Sequence, residues 1–147
     1  MAEAISLVAA VLGIADVTTR LAKAILGTIS KLKNPSTEIQ SVRDKINELT
    51  NTLQQIQHLG QSYSQLPLDD GSNSSFEDIN QILASCQGDL LKLRTRLSEV
   101  DRMNDSWFGR TVRRVKFAQY EKEISKTCQR LETHKTSLLV CLSTVGR

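Results

Sequence analysis

Two histidines, His58 and His134, and three cysteines, Cys86, Cys128 and Cys141, are the residues of this chain best suited to metal or nucleophilic chemistry. A metal site needs several such ligands at short, matched spacing. Neither histidine has a Cys or His at that spacing, and no CxxC pair occurs, so the pattern predicts no metal. Phosphate loops such as GxxxxGK[ST] need clustered glycines, whereas the seven here are scattered singly. No cofactor is expected, and without a convergent nucleophile, base or metal the chain is read as no enzyme. The cysteines stand at helix-core spacing, as buried thiols of a reducing compartment, which places the chain in the cytoplasm. Asn73-Ser74-Ser75 and Asn104-Asp105-Ser106 match the glycosylation pattern but have no role there.

Charge is the second source of chemistry. The net charge is only +3, yet the stretch from Gly60 to Leu91 holds five acids and no base, while that from Lys92 to Lys116 holds eight bases and three acids. Arg110, Arg113, Arg114 and Lys116 form the densest basic cluster, and Lys92, Arg94, Arg96 and Arg102 precede it on a neighbouring helix. If the two groups converge they suit anionic lipid, at about 1 kcal/mol per base near a charged leaflet. Nucleic acid is a poorer fit, because aromatics make up only 4% of the residues and no recognition module stands out. A solvated helix face is the competing account.

The element that would have to work with those bases is the first helix. Ala4 to Ala15 carry no charge and are apolar on every face, interrupted only by Ser6 and Gly13. Such a segment belongs in a core or in lipid. At 1.5 Å per residue it is roughly 18 Å long, short of the roughly 30 Å bilayer core, so it cannot span alone. If it enters lipid and not a core, the insertion candidates are Glu3, Ile5, Leu7, Val8, Val11, Leu12 and Gly13. Small residues at Ala2, Ser6 and Ala10, and at Ala9 and Gly13, permit close helix contact in a bundle and equally in a lipid-embedded oligomer. Glu3 is either a first-turn acid matched to the helix dipole or the rim of a pore. A secretory signal would place bases ahead of the apolar run; here Glu3 precedes it and Arg20 follows, so export is not expected. Beyond it, Ile14, Val17, Leu21, Ile25, Ile29 and Leu32 form one apolar side.

Asn34-Pro35-Ser36 divides the first helix from the second. Ile39, Val42, Ile46, Leu49, Leu53 and Ile56 then alternate by threes and fours until a stop near Gly60. A loop rich in Ser, Asp and Gly follows, and Ser74 or Ser75 is expected to cap a third helix with the seam Phe76, Ile79, Leu83, Cys86, Leu90, Leu93, Leu97 and Val100. After a turn in which Trp107-Phe108-Gly109 folds back on the bundle end, the last helix turns Val112, Val115, Tyr120, Ile124, Cys128, Leu131, Leu138, Cys141 and Val145 inward, with His134 or Lys135 near the seam and a possible kink near Phe117. The sequence thus predicts a single all-α domain over residues 1–147, an antiparallel four-helix bundle with a long hydrophobic N-terminal helix. Its helices are expected over about 3–33, 36–59, 75–103 and 110–145, with an acidic loop at 61–74.

Several blocks of the chain resemble a known family. These are Met1-Ala2-Glu3-Ala4 with its apolar helix, Pro35-Ser36-Thr37-Glu38-Ile39, the leucine ladder from Cys86 to Leu97, and Arg113-Arg114-Val115-Lys116-Phe117 leading into Glu121-Lys122-Glu123-Ile124. Arg130-Leu131-Glu132-Thr133-His134-Lys135 ahead of Leu138-Leu139 completes the set. Together they are similar to the HeLo-like N-terminal helical domain of fungal STAND (NLR-type) immune receptors, which is itself similar to the four-helix killer domain of mixed-lineage kinase-like necroptosis proteins. The resemblance implies a cytoplasmic cell-death domain that oligomerises, moves to the plasma membrane and permeabilises it through the Glu3–Ala15 tip. It also implies an upstream receptor or an amyloid-motif partner. The alternative it leaves open is a non-lytic interaction or regulatory domain.

Overall fold

The computed structural model describes the backbone of residues 2–32, 35–63, 70–104 and 110–145, and within it the side chains of 7–32, 35–63, 74–102 and 115–145. Four helices account for nearly all of it: α1 Ala2–Lys31, α2 Thr37–Tyr63, α3 Asp70–Asn104 and α4 Arg110–Thr144. The fold is the expected all-α bundle. α1 packs against α2 and α3, and α4 packs against the same two, so α1 and α4 face each other across one diagonal and α2 and α3 across the other.

Side-chain contacts fix the directions. Leu12 near the start of α1 meets Gly60 near the end of α2, and Arg96 and Asp89 of α3 pair with Glu123 and Arg130 of α4. These two pairs are antiparallel. Along α2 and α4, Glu38 lies beside Glu121 and Glu48 meets Lys135, so those two helices run parallel, as α1 and α3 must in turn.

Alternating apolar seams hold the bundle. All six expected core positions of α2 and all eight of α3 are buried. Each large side chain so buried stabilises the fold by about 1.5–3 kcal/mol relative to exposure. Ser36 starts α2 by accepting the Ile39 N–H at 3.2 Å, as an N-cap does.

α1 departs from the expected seam. Val17 is 47% exposed, while Val8, Val11, Ala15, Thr18, Ala22, Ile25, Ile29 and Leu32 are buried in unbroken steps of three and four. Thr18 and Thr19 can be buried because their hydroxyls donate to the Ile14 and Ala15 carbonyls at 2.6 and 2.7 Å, leaving methyl groups for the core. Of the expected seam, Leu21, Ile25, Ile29 and Leu32 are buried and Ile14 is half-buried, so polarity misplaced a single position, Val17 in place of Thr18.

Three boundaries also differ. α2 continues past Gly60 to Tyr63, whose ring meets Phe76 edge-on at 5.8 Å. α3 begins at Asp70, so Ser74 and Ser75 lie within it, and Ser75 bonds Thr144 of α4 at 3.0 Å where a cap was expected. Acids in the opening turns favour a helix N-terminus, which helps carry α3 back through weak formers. In α4, Val115 is 65% exposed and so does not face inward, while Tyr120 and Cys141 are half-buried. The helix is continuous through Phe117. Trp107, Phe108 and Gly109 lie outside the described residues, as does the side chain of Val112.

Gly60 is a packing position. A Cβ placed on it would lie 2.6 Å from Leu12 Cδ2 and 3.0 Å from its Cγ. Gly60→Ala gains up to about 1 kcal/mol of helix propensity but overpacks Leu12 by about 1–3 kcal/mol. The expected result in chemical denaturation is a net loss of roughly 1 kcal/mol, converted to a gain when Gly60→Ala is made in a Leu12→Ala background. Additive effects of the two substitutions would refute the contact.

Candidate functional site

Within the candidate tip, Val8 and Val11 are buried, Leu7 and Leu12 are half-buried, and Gly13 is exposed. Ala9 and Ala10 are exposed beside it, so the solvent side of this part of α1 is uncharged and made of small residues. The Glu3 and Ile5 side chains lie outside the described residues. Among the described residues no helix is long and apolar enough to cross a membrane.

The basic candidates start α4. Lys116 is exposed, and the side chains of Arg110, Arg113 and Arg114 lie outside the described residues. The helix directions have a firm consequence for them. α4 begins at the end of the bundle where α1 finishes and α2 begins, whereas the tip of α1 lies at the other end, beside Gly60. At 1.5 Å per residue the two candidate groups are separated by roughly 40 Å. The bundle does not bring them together.

Nor does Arg96 belong to a free basic patch. Its guanidinium pairs with Glu99 at 2.9 Å and Glu123 at 2.6 Å and lies 5.8 Å from the Tyr120 ring centroid. The hydrogen bond to Glu99 holds its pKa above the usual arginine value. Lys92 lies further along, where it lines a groove with Lys126 and Arg130 of α4, while Arg94 and Arg102 are exposed.

The most buried acid among the described residues was not singled out by the sequence. Asp89 is 7% exposed and accepts from Arg130 Nε at 3.1 Å through one oxygen and pairs with His134 Nε2 at 3.0 Å through the other. An ionised carboxylate only accepts, so the His134 Nε2 must carry the hydrogen. Arg130 also donates to Thr127 Oγ1 at 3.2 Å. The only sequence signal was the i,i+4 spacing of Arg130 and His134, which means nothing until the register of α3 on α4 is known. On the opposite side of α4, Lys135 donates to Glu48 at 2.7 Å and pairs with Glu132 at 3.2 Å, which raises its own pKa and lowers that of Glu48.

Burial disfavours the thiolate form of all three cysteines. Burial pushes Cys86 up to about 12, with Asp89 adding to the shift, and Cys128 to about 11. Cys141 is raised for the same first reason. Among the described residues no three His, Cys, Asp or Glu side chains converge to hold a metal ion.

Glu121 is held above the usual carboxyl range by burial and by the neighbouring Glu38, against the opposing effect of Ser36. A carboxyl whose folded pKa is raised binds protons more readily in the folded state, so stability rises as pH falls through the window just above 4.5. Glu121→Gln is therefore expected to be more stable than wild type at neutral pH, with an advantage that shrinks on acidification. An advantage that grew instead, in melts taken across pH, would contradict this. Asp89→Asn removes the charge between Arg130 and His134 and is expected to cost about 1–2 kcal/mol, since Arg130 is half-exposed; an unchanged urea midpoint would show the pair to be idle. No protein-family profile matches the chain, nor does any curated protein or solved structure.

Proposed function

We propose that this four-helix domain is a cytoplasmic, non-enzymatic cell-death effector of a fungal innate-immune system, HeLo-like in kind, which permeabilises membranes when copies cluster. What carries the reading is α1: twelve consecutive residues without charge, Ala4 to Ala15, in a helix whose outer side leaves Ala9, Ala10 and Gly13 in solvent. Clustering by an upstream receptor or an amyloid-motif partner supplies the trigger. The tip is too short to span alone, so several copies act together, each inserting part way.

The bundle geometry constrains the order of events. With the α4 basic end against an anionic leaflet, the tip of an intact α1 points about 40 Å away. Insertion beside the docked bases therefore requires α1 to leave its slot between α2 and α3, which breaks the Leu12–Gly60 contact. The second reading, a non-lytic interaction or regulatory domain, is favoured by the unbroken burial from Val8 to Leu32, which suits a permanent wall.

Dye release from anionic liposomes separates the two. Folded wild type, clustered through a chemically dimerised fusion, is expected to leak dye. Leu12→Asp should reduce leakage at least about tenfold, since a carboxylate in the apolar layer costs about 3 kcal/mol. Glu3→Ala should alter the leak if that carboxylate rims a pore, and Gly60→Ala should speed it. Absence of leakage from clustered protein of native helicity would reject the lytic reading in favour of the second.

A further inference from the structure

The outer surface where α3 and α4 lie side by side has two halves of opposite character. In the half where Ser75 meets Thr144, Asp78 and Ile82 face Ser137 and Val140 across an open groove of about 350 Å³. Asp78 is exposed with Glu77 beside it, and neither helix supplies a base here, since residues 60–91 hold none and residues 136–145 hold no charge. In the other half, Leu91 and Lys92 face Lys126 and Arg130. Arg96 and Arg130 are answered within the chain by Glu99, Glu123 and Asp89, so the charge this half turns outward is that of the exposed Lys92 and Lys126. Each half also exposes an apolar side chain, Val140 at 58% and Leu91 at 42%. Between them the surface is low: Ser85, Gly88 and Thr133 are exposed, and a Cβ at Gly88 would meet nothing within 4 Å.

We infer that this face pairs two copies of the chain in an isologous dimer whose two-fold axis runs across the helices, α3 against α3 and α4 against α4. Charge selects that axis. A two-fold along the helices would lay acidic half on acidic half, whereas one across them sets Asp78 of each copy level with Lys92 of the other. Ser85, midway between Asp78 and Lys92 on α3, then lies at the axis, as does Thr133, midway between Lys126 and Val140 on α4. The Ser75–Thr144 and Arg96–Glu123 contacts put those two positions at one level of the bundle. The same operation lays the Val140 half of each copy on the Leu91 half of the other. Two helices offering about 30 Å of length over a width of about 20 Å give roughly 600 Å² per copy. That is less than the about 800 Å² per partner of a standard interface, so the dimer is reversible and not obligate.

Neither the α1 tip nor the α4 basic start takes part, and the pairing involves no lipid. The two copies run in opposite directions, which turns their α4 starts away from each other. Copies so paired cannot both dock by that end on one leaflet, and under the function proposed above the dimer is the resting form.

The test is sedimentation velocity of the folded domain over the micromolar range, where a monomer–dimer equilibrium weakened by salt is expected. Asp78→Lys and Lys92→Glu should each raise Kd at least about tenfold by setting like charges together. Combined in one chain they should restore dimerisation, because the exchanged charges meet again across the axis. Ser85→Arg, which brings two guanidinium groups together at the axis, should raise Kd without lowering Tm. A wild type monomeric throughout that range, a dimer indifferent to the single reversals, or a double variant no better than either single one would overturn the inference. Liposome leakage plays no part in this readout, so failure of the dimer and failure of the lytic reading are told apart.

Discussion

Helices α2 and α3 are not neighbours in this bundle. Their side chains meet across a diagonal, as Tyr63 and Phe76 do, but the helices are joined through α1 on one side and α4 on the other. α1 is thus half of what holds α2 and α3 in place, and its seam must fit two partners at once. Ala15, Thr18 and Ala22 in the middle of that seam let both approach closely, while Ile25, Ile29 and Leu32 fill the end near α2's start. The constraint also sets the cost of any event that removes α1, because two apolar faces would be uncovered together.

Polar contacts distinguish the two sides of α4. Towards α3 it presents Glu123, Arg130 and His134, which are matched to Arg96 and Asp89; towards α2 it presents Glu121 and Lys135, which meet Glu38 and Glu48. Swapping the neighbours would set Glu121 against other partners and leave Asp89 buried without a cation. Apolar seams alone are tolerant of sliding and exchange, so these pairs supply register more than they supply stability.

Much of the fold was legible because α2 and α3 carry strict alternating seams, and every residue expected in them is buried. Legibility failed where a residue type has two physical uses. Gly60 reads as a helix stop and proves to be a space for Leu12. Thr18 reads as polar yet hides its hydroxyl on its own backbone, so the polarity pattern points to Val17 in its place. Val115 fits the period but lies outside on the exposed start of α4. The candidate sites suffered differently. Direction along the bundle, which no single helix encodes, separates the α1 tip from the α4 start, and the cluster of Asp89, Arg130 and His134 joins residues whose proximity depends on an interhelical register that no single helix encodes either.

The void at Gly60 filled by Leu12 makes two distant positions of the chain behave as one locus. A bulkier residue at 60 is tolerated only when 12 shrinks, and a smaller residue at 12 leaves room that 60 can take up. Selection acting on either codon is therefore filtered through the other, and variants descended from this sequence would carry compensated exchanges at the two positions more readily than lone ones.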